Sequence, residues 1–139
     1  PTAFLDELYQ RYGYHYELTF NIFLDGQEGS AKIDRIMKSY REKPIEKIDE
    51  IEVIKTIDFS KPDILDEEGE EVAKENFVIL ILENGFRIAI RPSGTEPKLK
   101  LYIFGESEAN PKDLADAKDS VQRKVKRLGE FIKEDTKCR

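Results

Sequence analysis

Eight consecutive residues carry the side chains best suited to chemistry: Arg91, Pro92, Ser93, Gly94, Thr95, Glu96, Pro97 and Lys98. Arg91 offers a planar fork of donors that can grip two oxygens of one oxyanion. Ser93 and Thr95 add hydroxyl donors. Gly94 lets backbone N–H groups approach a ligand closely and can take positive φ. Pro92 and Pro97 fix φ on both sides, so less conformational freedom is lost on binding. Two readings fit these residue types: a loop that binds phosphate, or a plain turn whose arginine is salt-bridged. Chemistry alone leaves both open.

The elements around the octet must be strands. Phe86 to Ile90 precedes it and Leu99 to Phe104 follows it, and both are apolar and β-prone. In the first, Arg87, Ala89 and Arg91 share a parity opposite to Ile88 and Ile90. Arg91 therefore leaves the strand on the polar face, away from the buried isoleucines. Asn84-Gly85 joins this strand to the apolar run Phe77 to Leu82 and predicts a type I′ hairpin. The unbroken apolar run predicts a strand covered on both faces.

Further upstream, residues 2–12 read as a short helix with Thr2 as cap, ended by Gly13. It is expected to be the least firmly anchored helix. Tyr14 to Leu24 alternates as a strand, with Tyr16, Leu18, Phe20 and Ile22 on one face. Ser30 is expected to cap a helix to about Tyr40, with Ile33, Ile36, Met37 and Tyr40 as its apolar stripe. A strand is centred on residues 51–57. Near the other end, Asn110 is expected to cap and Pro111 to open a final helix to about Glu134. Leu114, Ala117, Val121, Val125, Leu128 and Ile132 form its core stripe. The pattern after the first helix is β-α-β(4)-α, an α+β domain whose mostly antiparallel sheet carries its helices on one face.

Other candidate groups read as ordinary surface. His15 is the only histidine and has no partner nearby in sequence, so a surface or interdomain position is expected rather than a general base. Asp63 to Glu75 holds seven acids against one base, and so carries the whole net charge of −6. It lacks EF-hand spacing and reads as a solvated excursion. The bases Arg123, Lys124, Lys126 and Arg127 lack interleaved aromatics and read as a solvated helix face. With a pI near 5.0, no nucleic-acid partner is expected. There is no apolar run of membrane-spanning length, so no membrane partner is expected, and no basic-then-apolar leader, so secretion is not expected. Cys138 is the single cysteine and reads as exposed, in a reducing, cytoplasmic setting.

RPSGTEPK between two strands resembles the phosphate-binding loop in the last domain of the α-D-phosphohexomutases, the family of phosphoglucomutase and phosphomannomutase. Tyr12-Gly13-Tyr14-His15, the helix Ile33–Tyr40, the strand Gly85–Ile90 and the final helix follow in that family's order. The resemblance covers essentially the whole chain, while the chain covers only the tail of such an enzyme. It implies a TATA-binding-protein-like fold. Residues 1–14 would be the helical tail of a preceding domain, and 15–139 the C-terminal phosphate-binding domain. It further implies that Arg91, Ser93, Gly94, Thr95 and Lys98 contact the non-reacting phosphate; Glu96, like-charged with phosphate, is expected to point away unless its role is on a neighbouring domain. The implied reaction interconverts hexose 1-phosphate and 6-phosphate. Its implied partners are a phosphosugar and the preceding domains of the same enzyme. Mg²⁺ and a hexose 1,6-bisphosphate would serve the full-length protein, with no cofactor on this part. The serine, metal and sugar loops of the family are absent here, so this part alone is expected to be inactive. The alternative is a free-standing anion-binding or protein-interaction module.

Overall fold

The computed structural model describes residues 2–24, 28–60, 76–93 and 96–139. The elements in chain order are α1 (Thr2–Tyr12), β1 (His15–Phe23), α2 (Gly29–Glu42), β2 (Lys47–Ile48), β3 (Ile51–Asp58), β4 (Val78–Leu82), β5 (Arg87–Pro92), β6 (Lys98–Glu106) and α3 (Leu114–Cys138). The six strands form one sheet in the order β1-β6-β5-β4-β3-β2. Every neighbouring pair is antiparallel. This is the expected α+β arrangement with one strand added. The addition, β2, pairs Ile48 with Ile51 across Asp49 and Glu50, whose φ values are 46° and 69°. Positive φ at both central residues is the geometry of a two-residue hairpin. Here it is adopted without the usual Asn or Gly, and Ile48 is fully buried.

Alternation divides the sheet into two unlike faces. Val78, Leu80, Leu82, Ile88, Ile90, Leu99, Leu101 and Ile103 are buried on one. Against them pack Ile33, Ile36, Met37 and Tyr40 of α2 and Val121, Val125, Leu128 and Ile132 of α3, all in one core. On the opposite face Ile79 and Ile81 are only partly buried and Phe104 is exposed. The expected double cover of β4 is thus corrected: the described helices cover one side. The Asn84-Gly85 hairpin forms, but not as type I′. Only Gly85 has positive φ, at 87°, and Leu82 N–H donates to Phe86 O at 2.9 Å across a three-residue loop. The Asn84 side chain accepts from the Phe86 amide at 3.0 Å instead of lending its backbone to αL.

Helix starts also differ from expectation. α2 begins at Gly29 with Glu28 in the N-cap position and no side-chain cap bond, so Ser30 lies inside the first turn. For α3 the cap is Asp113, which accepts from the Asp116 amide. Asn110 takes φ of 53° in the preceding turn. Pro111 and Asp113 therefore lie ahead of the helix. α1 is held to α3 by an ion pair of Asp6 with Lys118, and to the segment ahead of α3 by a hydrogen bond from Gln10 to Pro111 O at 2.8 Å. Leu5, Leu8 and Tyr12 remain exposed on it.

The C-terminal ends of α2 and α3 are tied by a polar clasp. The Tyr40 hydroxyl donates to Asp135 Oδ2 at 2.8 Å and lies 2.9 Å from Thr136 Oγ1. Arg139 donates to Asp135, Ser39 and the Lys43 carbonyl, with its guanidinium 4.1 Å from the Tyr40 ring centre. Burial, reinforced by Asp135, pushes the Tyr40 phenol far above its ordinary pKa range, against the opposing pull of its hydrogen bond with Thr136. The phenol therefore stays a neutral donor.

Candidate anion-binding site

Arg91 and Pro92 end β5, and Lys98 opens β6. Their register pairs Arg91 with Lys100 and Pro92 with Leu99. Across the crossover, Ser93 N–H donates to Lys98 O at 3.0 Å and Lys98 N–H to Glu96 O at 2.8 Å. The connection is thus closed by its own backbone at the strand ends. Arg91 is exposed between buried Ile90 and half-buried Pro92, as its parity predicts. Gly94 and Thr95, expected as ligand contacts, lie outside the described residues, as does the acidic stretch 63–75.

The start of α2 is pressed against this crossover. A Cβ on Gly29 would lie 2.2 Å from Leu24 O and 3.2 Å from Pro97 Cβ, so only glycine admits the approach. Leu24 N–H donates to Pro97 O at 2.9 Å, which ties the segment before the helix to the same proline. The helical ladder begins with Lys32 N–H donating to Glu28 O. The amides of Gly29, Ser30 and Ala31 precede it, and no N-cap side chain takes them. The positive end of a helix without a side-chain cap is therefore held beside Arg91 and Ser93.

Between them lies a concavity of about 420 Å³. It is lined by Arg91, Pro92, Ser93 and Glu96 from the crossover, by Ser30, Ile33 and Asp34 from α2, and by Asn76 from the entry to β4. Of the predicted contacts, Arg91 and Ser93 are brought together here and Lys98 is not. The Lys98 ammonium lies 3.8 Å from Glu96 Oε2 and 5.7 Å from the Phe23 ring centre. Glu96 does not turn away from the concavity, as its charge had suggested. It lines the wall with Lys98 as counter-charge, which lessens its repulsion of an anion.

Ser30, Asp34 and Asn76 were not among the residues read from sequence as ligand contacts. No sequence signal marked Asn76, since the register that pairs Val78 with Ile90 and brings residue 76 opposite Pro92 is that of the three-residue loop and not of the predicted type I′ turn. Ser30 and Asp34 had none, since their place depends on how α2 meets the loop. His15 lies at the other end of β6, with Nδ1 3.4 Å from Glu106 Oε2. Both side chains are well exposed, as expected of a surface histidine.

Residues 31–120 match the family model described as phosphoglucomutase/phosphomannomutase, C-terminal domain. A phosphoglucomutase of Staphylococcus aureus (strain MSSA476) is 36% identical over 104 residues, which is 71% of this chain and 19% of that protein. One from Staphylococcus saprophyticus is 36% identical over 109 residues, 75% of this chain and 20% of that protein. The chain therefore spans about a fifth of the length of the curated relatives it matches. Among solved structures, the open form of the Paramecium phosphoprotein pp63/parafusin, a phosphoglucomutase, aligns over 90% of this chain and 22% of its own. The TM-score is 0.45 and the identity 16%.

Proposed function

The chain belongs to the family of phosphoglucomutase/phosphomannomutase C-terminal domains, and we propose that within a longer phosphosugar mutase it holds the substrate's non-reacting phosphate. The observation that supports this most is the convergence of Arg91, Ser93 and Ser30 of the first turn of α2 on one concavity. A phosphate dianion seated there meets the Arg91 fork, the Ser93 hydroxyl and the amides at the helix start. Gly94 and Thr95 would complete the grip from the loop. Lys98 would act from a distance by neutralising Glu96.

The value of such a site is positioning. Binding energy from a remote phosphate orients the reacting end of the sugar. A socket that reads phosphate and ignores ring stereochemistry accepts either end of a hexose bisphosphate, as interconversion of 1- and 6-phosphates requires. Among the described residues, no group of three or more His, Cys, Asp or Glu side chains is arranged to hold a metal. In this reading the Mg²⁺ that the resemblance implies serves the full-length protein from another part of it.

In this reading residues 1–14 belong to the tail of the preceding domain, whose body would cover Leu5, Leu8 and Tyr12. This part alone is inactive. No described helix is long and apolar enough to cross a membrane, and the exposed lone Cys138 fits a reducing cytoplasm. The test is Arg91→Ala in the full-length enzyme. The expected loss in kcat/KM for glucose 1-phosphate is well over tenfold, as for removal of a charge-assisted two-point contact. Unchanged kinetics would overturn the assignment.

A further inference from the structure

One wall of the concavity comes from outside the octet, and a chain of hydrogen bonds fixes it. Asp58, at the end of β3, accepts at Oδ1 from the Ser60 amide at 3.0 Å and the Ser60 hydroxyl at 2.6 Å. The same oxygen accepts from Arg41 Nε at 3.0 Å. Arg41, near the end of α2, then donates through Nη2 to the side-chain oxygen of Asn76. A guanidinium has donors only, so the Asn76 atom that faces it must be the oxygen. This settles which way the amide is turned. The Asn76 NH₂ is left as the end of the relay that carries only donors, on a residue that lines the concavity with Arg91 and Ser93.

We propose that Asn76 is a further phosphate contact, donating through its side-chain NH₂, and that Arg41, braced by Asp58, is the positioning residue that orients it. This rests on the phosphate-site reading above. An aspartate at position 76 would suit Arg41 better as an ion-pair partner, yet it would set a carboxylate against the bound anion. The neutral amide satisfies Arg41 and still donates. The bound phosphate is then held from two sides, by the β5–β6 crossover and by the entry to β4.

The experiment uses the full-length enzyme with glucose 1-phosphate as substrate and four variants: Asn76→Ala, Asn76→Asp, Arg41→Met and the Arg41→Met/Asn76→Ala pair. Asn76→Ala is expected to lower kcat/KM about tenfold, the loss of one hydrogen bond to a charged group. Asn76→Asp should lower it further while the thermal midpoint holds or rises, because the pair with Arg41 is kept. A purely structural Asn76 would give the reverse order. Arg41→Met should lower kcat/KM alone but add nothing in the Asn76→Ala background, since it acts through that residue. Wild-type kinetics in Asn76→Asp, or losses that multiply in the double variant, would overturn the proposal. Arg91→Ala run alongside separates the two levels. If it retains wild-type kinetics, the phosphate site itself is wrong. If it loses over tenfold while Asn76→Asp does not, only the Asn76 assignment falls.

Discussion

At its C-terminal end α2 is locked to the rest of the molecule. Tyr40 is fully buried, its hydroxyl meets Asp135 and Thr136, and Arg139 closes over its ring while bonding Ser39 and the Lys43 carbonyl. At its N-terminal end the same helix is pressed on the crossover by Gly29 but has no side-chain cap, and it borders a concavity open to solvent. A cap there would stabilise the helix by about 1 kcal/mol and would occupy the amides an anion needs. The clasped end fixes where the helix lies, and in the proposed reading the uncapped end keeps its donors for the phosphate. The missing cap is one departure from local preference that falls where binding is proposed, as such departures do at functional sites generally.

The largest effect expected from this contrast is at the clasp. Tyr40→Ala removes a fully buried ring and leaves buried Thr136 without one of its neighbours. Urea unfolding should report a loss of about 3–5 kcal/mol. Arg91→Ala, at an exposed side chain, should change the same free energy by under ~0.5 kcal/mol. Equal losses at the two ends would break the contrast.

Gly29→Ala sharpens it with a smaller cost. The added methyl collides with the Leu24 carbonyl, and the helix start must move away from Pro97. Stability should fall by about 1–3 kcal/mol, and kcat/KM in the longer enzyme should fall with it. A variant that keeps both would show that the approach of α2 to the loop does not matter.

The smallest effect is a pH dependence. Burial raises the Asp58 carboxyl pKa, but hydrogen bonds from Ser60 and Arg41 outweigh it, so the net pKa lies below the ordinary 3.8. The folded pKa is depressed. Its stabilisation is therefore present above the unfolded value and is lost as pH falls through the folded one. Urea midpoints of the wild type should fall more steeply below about pH 4 than those of Asp58→Asn. Parallel curves would remove Asp58 from the bracing of Arg41.

Most of the fold was legible because its signals are local. The stripe Ile33, Ile36, Met37, Tyr40 and the alternation of β1, β5 and β6 are patterns of burial written in short windows. So was the parity that exposes Arg91. What escaped depends on contacts distant in sequence. β2 turns through Asp49 and Glu50, a pair that lacks the glycine of the usual hairpin signature, and is held by the burial of Ile48. Ser30 looked like a cap because its type is right, yet the start of α2 is set by the close approach of Gly29 to Leu24 and Pro97. The apolar run of β4 suggested two covered faces, while Ile79 and Ile81 lie on the side without a described helix. Arg91 and Ser93 could be picked out by residue type. Asn76 could not, because its donor face is defined by Arg41, and Arg41 by Asp58.

Diffraction from crystals of the full-length enzyme soaked with glucose 1,6-bisphosphate tests the central claim most directly. One phosphoryl group should occupy the concavity with two Arg91 nitrogens about 2.8 Å from its oxygens and the α2 first turn facing it. Both phosphoryl groups bound elsewhere, with the Arg91 guanidinium paired to a protein carboxylate, would contradict it.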